Sequence, residues 1–277
     1  MNDIDARTGL IRKEKRTGLM THLVAGYPSL RKTVSIASAM EKAGADFIEL
    51  QVPFSDPIAD GPTIMGACDK ALARGVRTRD IMRTTRAITR AASAPVLLMA
   101  YYNNVFRYGV EDFCIEARDA GVSGLIVPDM PIDEEPMEHF IGNAERQGLY
   151  AIRLLSPAST PKRIMKNAGV ARGFVYCTTH QGITGAKDSI DVGTISYLKK
   201  VKKSLGLPIA VGFGISKAEH VRAIAPYADI AVVGSAIINV IDKDPGNAER
   251  NVGTFIGSIM HKIPSCSITR TYQKRTC

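Results

Sequence analysis

Along most of the chain, short apolar runs alternate with longer stretches in which apolar residues recur at helical spacing. Five of the runs follow a helix-stop such as Ala-Gly: EKAGADFIEL (41–50), RDAGVSGLIVPD (118–129), ERQGLYAIRLLSP (145–157), KNAGVARGFVYC (166–177) and APYADIAVVGSA (225–236). A glycine just past a helix is a common C-terminal stop. The apolar runs that follow are too short for helices and read as strands buried on both faces, as in a parallel sheet. LMTHLVAG (19–26), PVLLMAYY (95–102) and LPIAVGFG (207–214) bring the set to eight. Helices are predicted near 30–43, 62–74, 78–91, 111–120, 133–147, 160–168, 190–205 and 216–224, and two more near 235–242 and 247–262. Thr160-Pro161 puts a proline just inside a helix start, and Ser216 with Glu219 has the spacing of a capping box.

Strict alternation in units of about thirty residues predicts an α/β fold of one kind, a (β/α)8 TIM barrel. An extra helix precedes the first strand, and residues 1–262 form a single domain. A doubly wound open sheet is the rival architecture. It normally carries a GxGxxG turn after its first strand, where this chain has AGYPS (25–29). Residues 263–277 lose the periodic pattern and are expected to form a loose basic tail.

Composition narrows the function classes. A length of 277 residues suits one barrel, and 45% hydrophobic residues suffice for a large core. No apolar run approaches the roughly eighteen residues of a membrane span, and the N-terminus lacks the apolar segment of a signal peptide. The five cysteines are scattered, with no CxxC pair, which predicts reduced thiols, a cytoplasmic protein and no metal site. The net charge of +9 gathers at RKEKR (12–16), KKVKK (199–203) and the tail. The first two lie on helical patterns and read as solvated faces. Without tryptophan or basic–aromatic interleaving, no nucleic-acid partner is expected, although a basic surface draws in anionic substrates.

Active sites of such barrels sit at the C-terminal ends of the strands. There the chain places Gly-rich turns GITG (182–185), GFG (212–214) and GS (234–235). Glycine lets the backbone approach a ligand, and helix N-termini favour anions, so a phosphate ester is the expected substrate class. In DFIELQV (46–52), alternation puts Phe47, Glu49 and Gln51 on one face and Ile48, Leu50 and Val52 on the other. The aliphatic set should meet the helices, which aims Glu49 and Gln51 into the barrel. A desolvated carboxylate there has its pKa raised and suits general acid/base work; a Glu bonded to a structural partner is the alternative. Asp60, in ADGPT, reads either as a site carboxylate or as a turn or N-cap residue before Pro62.

VPFSDPIADGPTI (52–64), following an acid on strand two, resembles the signature of the tryptophan synthase alpha subunit family. AGYPS (25–29), YYNNVFRYG (101–109), VPDMP (127–131), GITGA (182–186), GFGIS (212–216) and VGSAII (233–238) match in order and spacing, so the resemblance covers nearly the whole chain. It implies a lyase of tryptophan biosynthesis that cleaves indole-3-glycerol phosphate to indole and glyceraldehyde 3-phosphate. It implies no cofactor or metal on this subunit. It also implies a pyridoxal-phosphate beta subunit that receives indole, in an alpha2beta2 heterotetramer. By matching position, Glu49 is the acid/base, Asp60 the carboxylate facing the indole N–H, and Tyr176 a pocket tyrosine. Thr184 matches a loop residue that closes on Asp60. Gly185, Gly214, Gly234 and Ser235 match the phosphate seat, with Phe213 as a wall. Met99, Tyr101, Leu125, Pro128 and Leu154 fall where the family lines its indole pocket.

The chain departs from the usual family pattern at Gln51 (usually Gly), Met65 (usually Gln), His22 (usually aromatic or apolar) and His180. His22 is expected to face the pocket mouth, and Gln51 to bond Glu49 or crowd the indole site. The alternative functions are a paralogue with lost or changed activity acting as a binding subunit, and another phosphate-ester barrel enzyme.

Overall fold

The computed structural model describes residues 1–179, 192–212 and 214–262. Eight parallel strands pair in chain order and close, β1 onto β8. They are β1 Gly18–Val24, β2 Phe47–Gln51, β3 Val96–Met99, β4 Gly124–Ile126, β5 Tyr150–Leu155, β6 Val175–Thr178, β7 Ile209–Gly212 and β8 Ile230–Val233. Closure removes both sheet edges and excludes the open-sheet rival. No helix among the described residues is long and apolar enough to cross a membrane.

Side-chain alternation divides the apolar residues into two layers. Met20, Phe47, Leu97, Met99, Ile126, Ile152 and Val232 fill the barrel. Leu19, Leu23, Ile48, Leu50, Leu98 and Leu125 point outward into the layer shared with the helices. The face assignment made for β2 from its sequence is therefore correct.

The extra N-terminal helix, Asp3–Lys13, closes the lower end of the barrel. Its Ile4 and Ile11 belong to the interior cluster. They reach in because the strands begin with glycine. A Cβ on Gly18 would lie 2.5 Å from Ile11 Cδ1, and one on Gly124 would lie 2.9 Å from Ile4 Cδ1. Asn2 caps the helix by accepting the Ile4 N–H, and its amide donates to the carbonyls of Ser123 and Gly148. At this end Asp46, just before β2, is buried but fully paired. Arg16 donates to both its oxygens at 2.6 and 2.7 Å, and the Leu19 N–H donates at 2.9 Å.

Several local expectations need correction. Thr160 does cap the helix Pro161–Val170, accepting the Arg163 N–H. Ser216 forms no capping box: the helix starts at Ala218 with Lys217 at its cap, and the Ser216 N–H donates to His220 Nδ1 instead. The segment predicted as one helix over 133–147 breaks at His139, whose φ of 52° is left-handed and ends Glu135–Glu138 before Phe140–Arg146 begins. A short helix, Tyr102–Tyr108, follows β3 and was not predicted. The tail over 263–277 lies outside the described residues.

Candidate active site

The C-terminal ends of the strands surround a cavity of about 250 Å³. His22 from β1, Glu49 from β2, Met99 from β3, Leu154 from β5 and Tyr176 from β6 line it, with Asp60, Pro128, Gly214, Gly234 and Ser235 from the loops. Thr184, Gly185 and Phe213, and the departing His180, lie outside the described residues.

Glu49 is 3% exposed. The β1–β2 register sets His22 directly beside it, and His22 Nδ1 lies 3.4 Å from Glu49 Oε2. That oxygen and the imidazole Nε2 are both buried without a hydrogen-bond partner. Glu49 thus differs from the paired Asp46 three residues earlier. A buried acceptor left open costs free energy, and such groups gather at functional sites. Burial alone would push the His22 imidazole down, but the adjoining Glu49, and then Asp60 and Gln51, outweigh it, and the net direction is upward.

Gln51 does not bond Glu49, as one expectation held. Its Nε2 donates to Asp60 Oδ2 at 2.6 Å and lies 3.6 Å from Cys68 Sγ. The loop after β2 folds back over the barrel rim and brings Asp60 to it. Asp60 is not a helix cap: Gly61 occupies that position ahead of Pro62–Ala73. Burial raises the Asp60 carboxyl above the usual aspartate value, against the opposing pull of His22, Gln51 and Tyr101.

Two residues implied as indole-pocket lining are placed elsewhere. Tyr101 is fully buried beneath the loop. Its hydroxyl donates to Asp60 Oδ2 at 3.0 Å and accepts the Ala59 N–H, while its ring stacks on Phe54 at 5.3 Å. It holds the loop and Asp60 rather than forming a wall. Leu125 points outward into the helix layer, and its neighbour Ile126 lines the cavity. Sequence reasoning also missed Ile64, Thr178, Thr179 and Val232 as lining residues. Position at a strand end is the one signal that marks Thr178 and Val232. Met65, on the helix after the loop, is partly exposed and does not line the cavity.

Tyr176 faces both carboxylates. Burial, then the charges of Glu49 and Asp60, push its phenol well above its ordinary value and keep it a neutral donor. Two strands round the barrel from Glu49, at the end of β8, Gly234 caps the helix Ser235–Lys243, whose first amides have no partner within the helix. Gly214 has a φ of +66°, a conformation that favours glycine. Amides and small residues here make a seat that an anion can enter.

The family model described as Tryptophan synthase alpha chain matches residues 9–261. The tryptophan synthase alpha chain of Desulfotalea psychrophila is 42% identical over 248 residues, covering 90% of this chain and 96% of that one. The alpha chain of a Thermoanaerobacter species is 38% identical, over 94% and 98%. Among solved structures, the tryptophan synthase alpha chain of Legionella pneumophila superposes with a TM-score of 0.85 at 30% identity, over 95% of this chain and 97% of that one. A tryptophan synthase from Mycobacterium tuberculosis does so with 0.86 at 33%, over 94% and 97%. Barrel, signature and near-complete coverage agree: this chain belongs to the tryptophan synthase alpha chain family, lyases of tryptophan biosynthesis.

Proposed function

We propose that this chain cleaves indole-3-glycerol phosphate by a retro-aldol reaction, releasing indole and glyceraldehyde 3-phosphate. The observation that carries the reading is a pair of carboxylates on one cavity, the buried Glu49 with an open oxygen and the half-buried Asp60 pinned by two donors, on the same cavity as an anion seat. The carbon–carbon bond breaks when the indole C3 is protonated, which puts positive charge on the ring nitrogen. Glu49 delivers that proton. Asp60 accepts the ring N–H and stabilises the charge as it develops. The glycerol hydroxyl then gives its proton to the Glu49 carboxylate as the carbonyl forms, so the carboxyl group is restored and protons balance. Gly214, Gly234 and Ser235 hold the phosphate, with Tyr176 donating across the cavity.

In this reading the chain needs no cofactor or metal of its own. Indole passes to a beta subunit carrying pyridoxal phosphate, in an alpha2beta2 assembly in the cytoplasm. Ile58, 82% exposed in the loop after β2, and Phe106, 62% exposed on the short helix after β3, give a partner apolar area at this end of the barrel. The Mycobacterium tuberculosis neighbour, described as tryptophan synthase, supports a partnered role.

The test is indole release from indole-3-glycerol phosphate by the purified chain, with and without a beta subunit. Slow release alone and faster release with the partner is the expected result. No indole above background with the partner present would sink the reading and leave a binding subunit or another phosphate-ester enzyme.

Gln51 gives a second measurement. Gln51→Gly removes one of the two donors on Asp60 Oδ2. A hydrogen bond to a charged group contributes about 1.5–3 kcal/mol, so kcat should fall by about tenfold or more. Unchanged kcat and KM would mean that Tyr101 alone suffices to place the carboxylate.

A further inference from the structure

The cavity has an unbalanced charge. It presents two carboxylates, Glu49 and Asp60, and among the described residues no lysine or arginine lines it. Its proposed substrate brings a phosphate dianion. The one basic side chain on the described wall is His22, 4% exposed.

His22 also stands where a cation is needed. On one side Nδ1 is 3.4 Å from Glu49 Oε2. On the other, the ring packs against the anion seat: a Cβ on Gly234 would meet His22 Cβ and Cγ at 3.5 and 3.6 Å. The base of the side chain thus lies against Gly234, Nδ1 faces Glu49, and the ring lines the cavity between them. Its Nε2 is buried and has no hydrogen-bond partner. A neutral imidazole presents one donor, whereas the imidazolium presents two, one for each side.

We infer that His22 is the cation of this cavity, with Nδ1–H held by Glu49 and Nε2–H donated to the glycerol phosphate end of the substrate, and that binding a phosphate ester draws a proton onto it. This rests on the proposed reaction for the identity of the substrate, but not for its test. Among the described residues, the charged titratable groups facing His22 are Glu49 on β2 and Asp60 in the loop that follows. Tyr176 on β6 is held neutral, β8 and its turn present Gly234 and Ser235, and the helix after the loop presents Ile64. Both charged neighbours are acids, so they favour the imidazolium and a bound dianion favours it further. The sign follows. The imidazolium is present at low pH and is lost as the pH rises through its raised pKa, so affinity falls toward alkaline pH. The phosphate ester's own second ionisation, near pH 6, would act in the opposite direction.

The experiment is calorimetric binding of glycerol 3-phosphate between pH 7 and 9, in buffers of different ionisation enthalpy, with indole release measured separately. The wild type is expected to take up a proton on binding and to lose about tenfold in affinity across this range. His22→Phe and His22→Asn should bind about tenfold more weakly at pH 7, the effect of one charge-assisted hydrogen bond, with no proton uptake and no pH dependence. A pH-independent wild type without proton uptake overturns the inference, and needs no variant to be folded. Variants that keep the wild-type profile also overturn it. Indole release with pH-independent binding defeats the role of His22 alone. Proton-linked binding without indole release defeats the proposed reaction alone.

Discussion

Glu49→Gln is expected to lower kcat for indole release by about three orders of magnitude, within the range that general acid–base groups contribute. The amide is nearly isosteric but can neither deliver a proton to carbon nor take one from the glycerol hydroxyl. Its carbonyl can accept from His22 Nδ1, 3.4 Å away in the wild type, and the Gly234–Ser235 turn is untouched. Loss of the Glu49 charge leaves burial to pull the His22 imidazole down, so glycerol 3-phosphate binding at pH 6.5 should weaken by no more than about tenfold, the effect of losing the His22 cation. Single-turnover indole release together with equilibrium binding separates the two effects. A variant that keeps the full rate would remove Glu49 from the reaction.

Asp60→Asn should cost about two to three orders of magnitude in kcat, the typical loss when a group that stabilises developing charge is removed. The argument is one of hydrogen-bond polarity as well as charge. Gln51 Nε2 and the Tyr101 hydroxyl both donate to Oδ2. In the asparagine variant those two donors hold the amide oxygen at that position, which turns the NH2 toward the cavity. A donor then faces the indole N–H, itself a donor. Because burial raises the Asp60 carboxyl, wild-type activity should also fall on acidification at a higher pH than an ordinary aspartate would dictate. A kcat within about threefold of wild type would show that the ring charge is stabilised elsewhere.

The contrast between β2 and β4 shows what a sequence can disclose about such a site. In FIELQ the polar residues mark one face, so the orientation of Glu49 and Gln51 follows from alternation alone. In GLIV every residue is apolar, nothing marks the inner face, and Leu125 was placed where Ile126 stands. Gln51 shows a different limit. Its nearest candidate partner in sequence was Glu49, but its actual partner arrives by closure of the loop, a tertiary event with no local signature. Tyr101 was placed correctly at the end of β3, while the direction of its hydroxyl depends on that same loop. Glycine-rich turns were legible as backbone chemistry at 212–214 and 234–235. Ser216 and Glu219 have the right spacing for a capping box, but the helix begins two residues past the serine and the motif is out of phase.

The N-terminal helix has a consequence for traffic. With Ile4 and Ile11 set among the interior side chains, the vessel among the described residues is a cul-de-sac. The proposed reaction makes two molecules from one, and among the described residues the rim is their common way out. Neither can drain through the base while the other leaves by the rim. The order of departure must then be decided at the rim itself, by whichever fragment the anion seat retains longer.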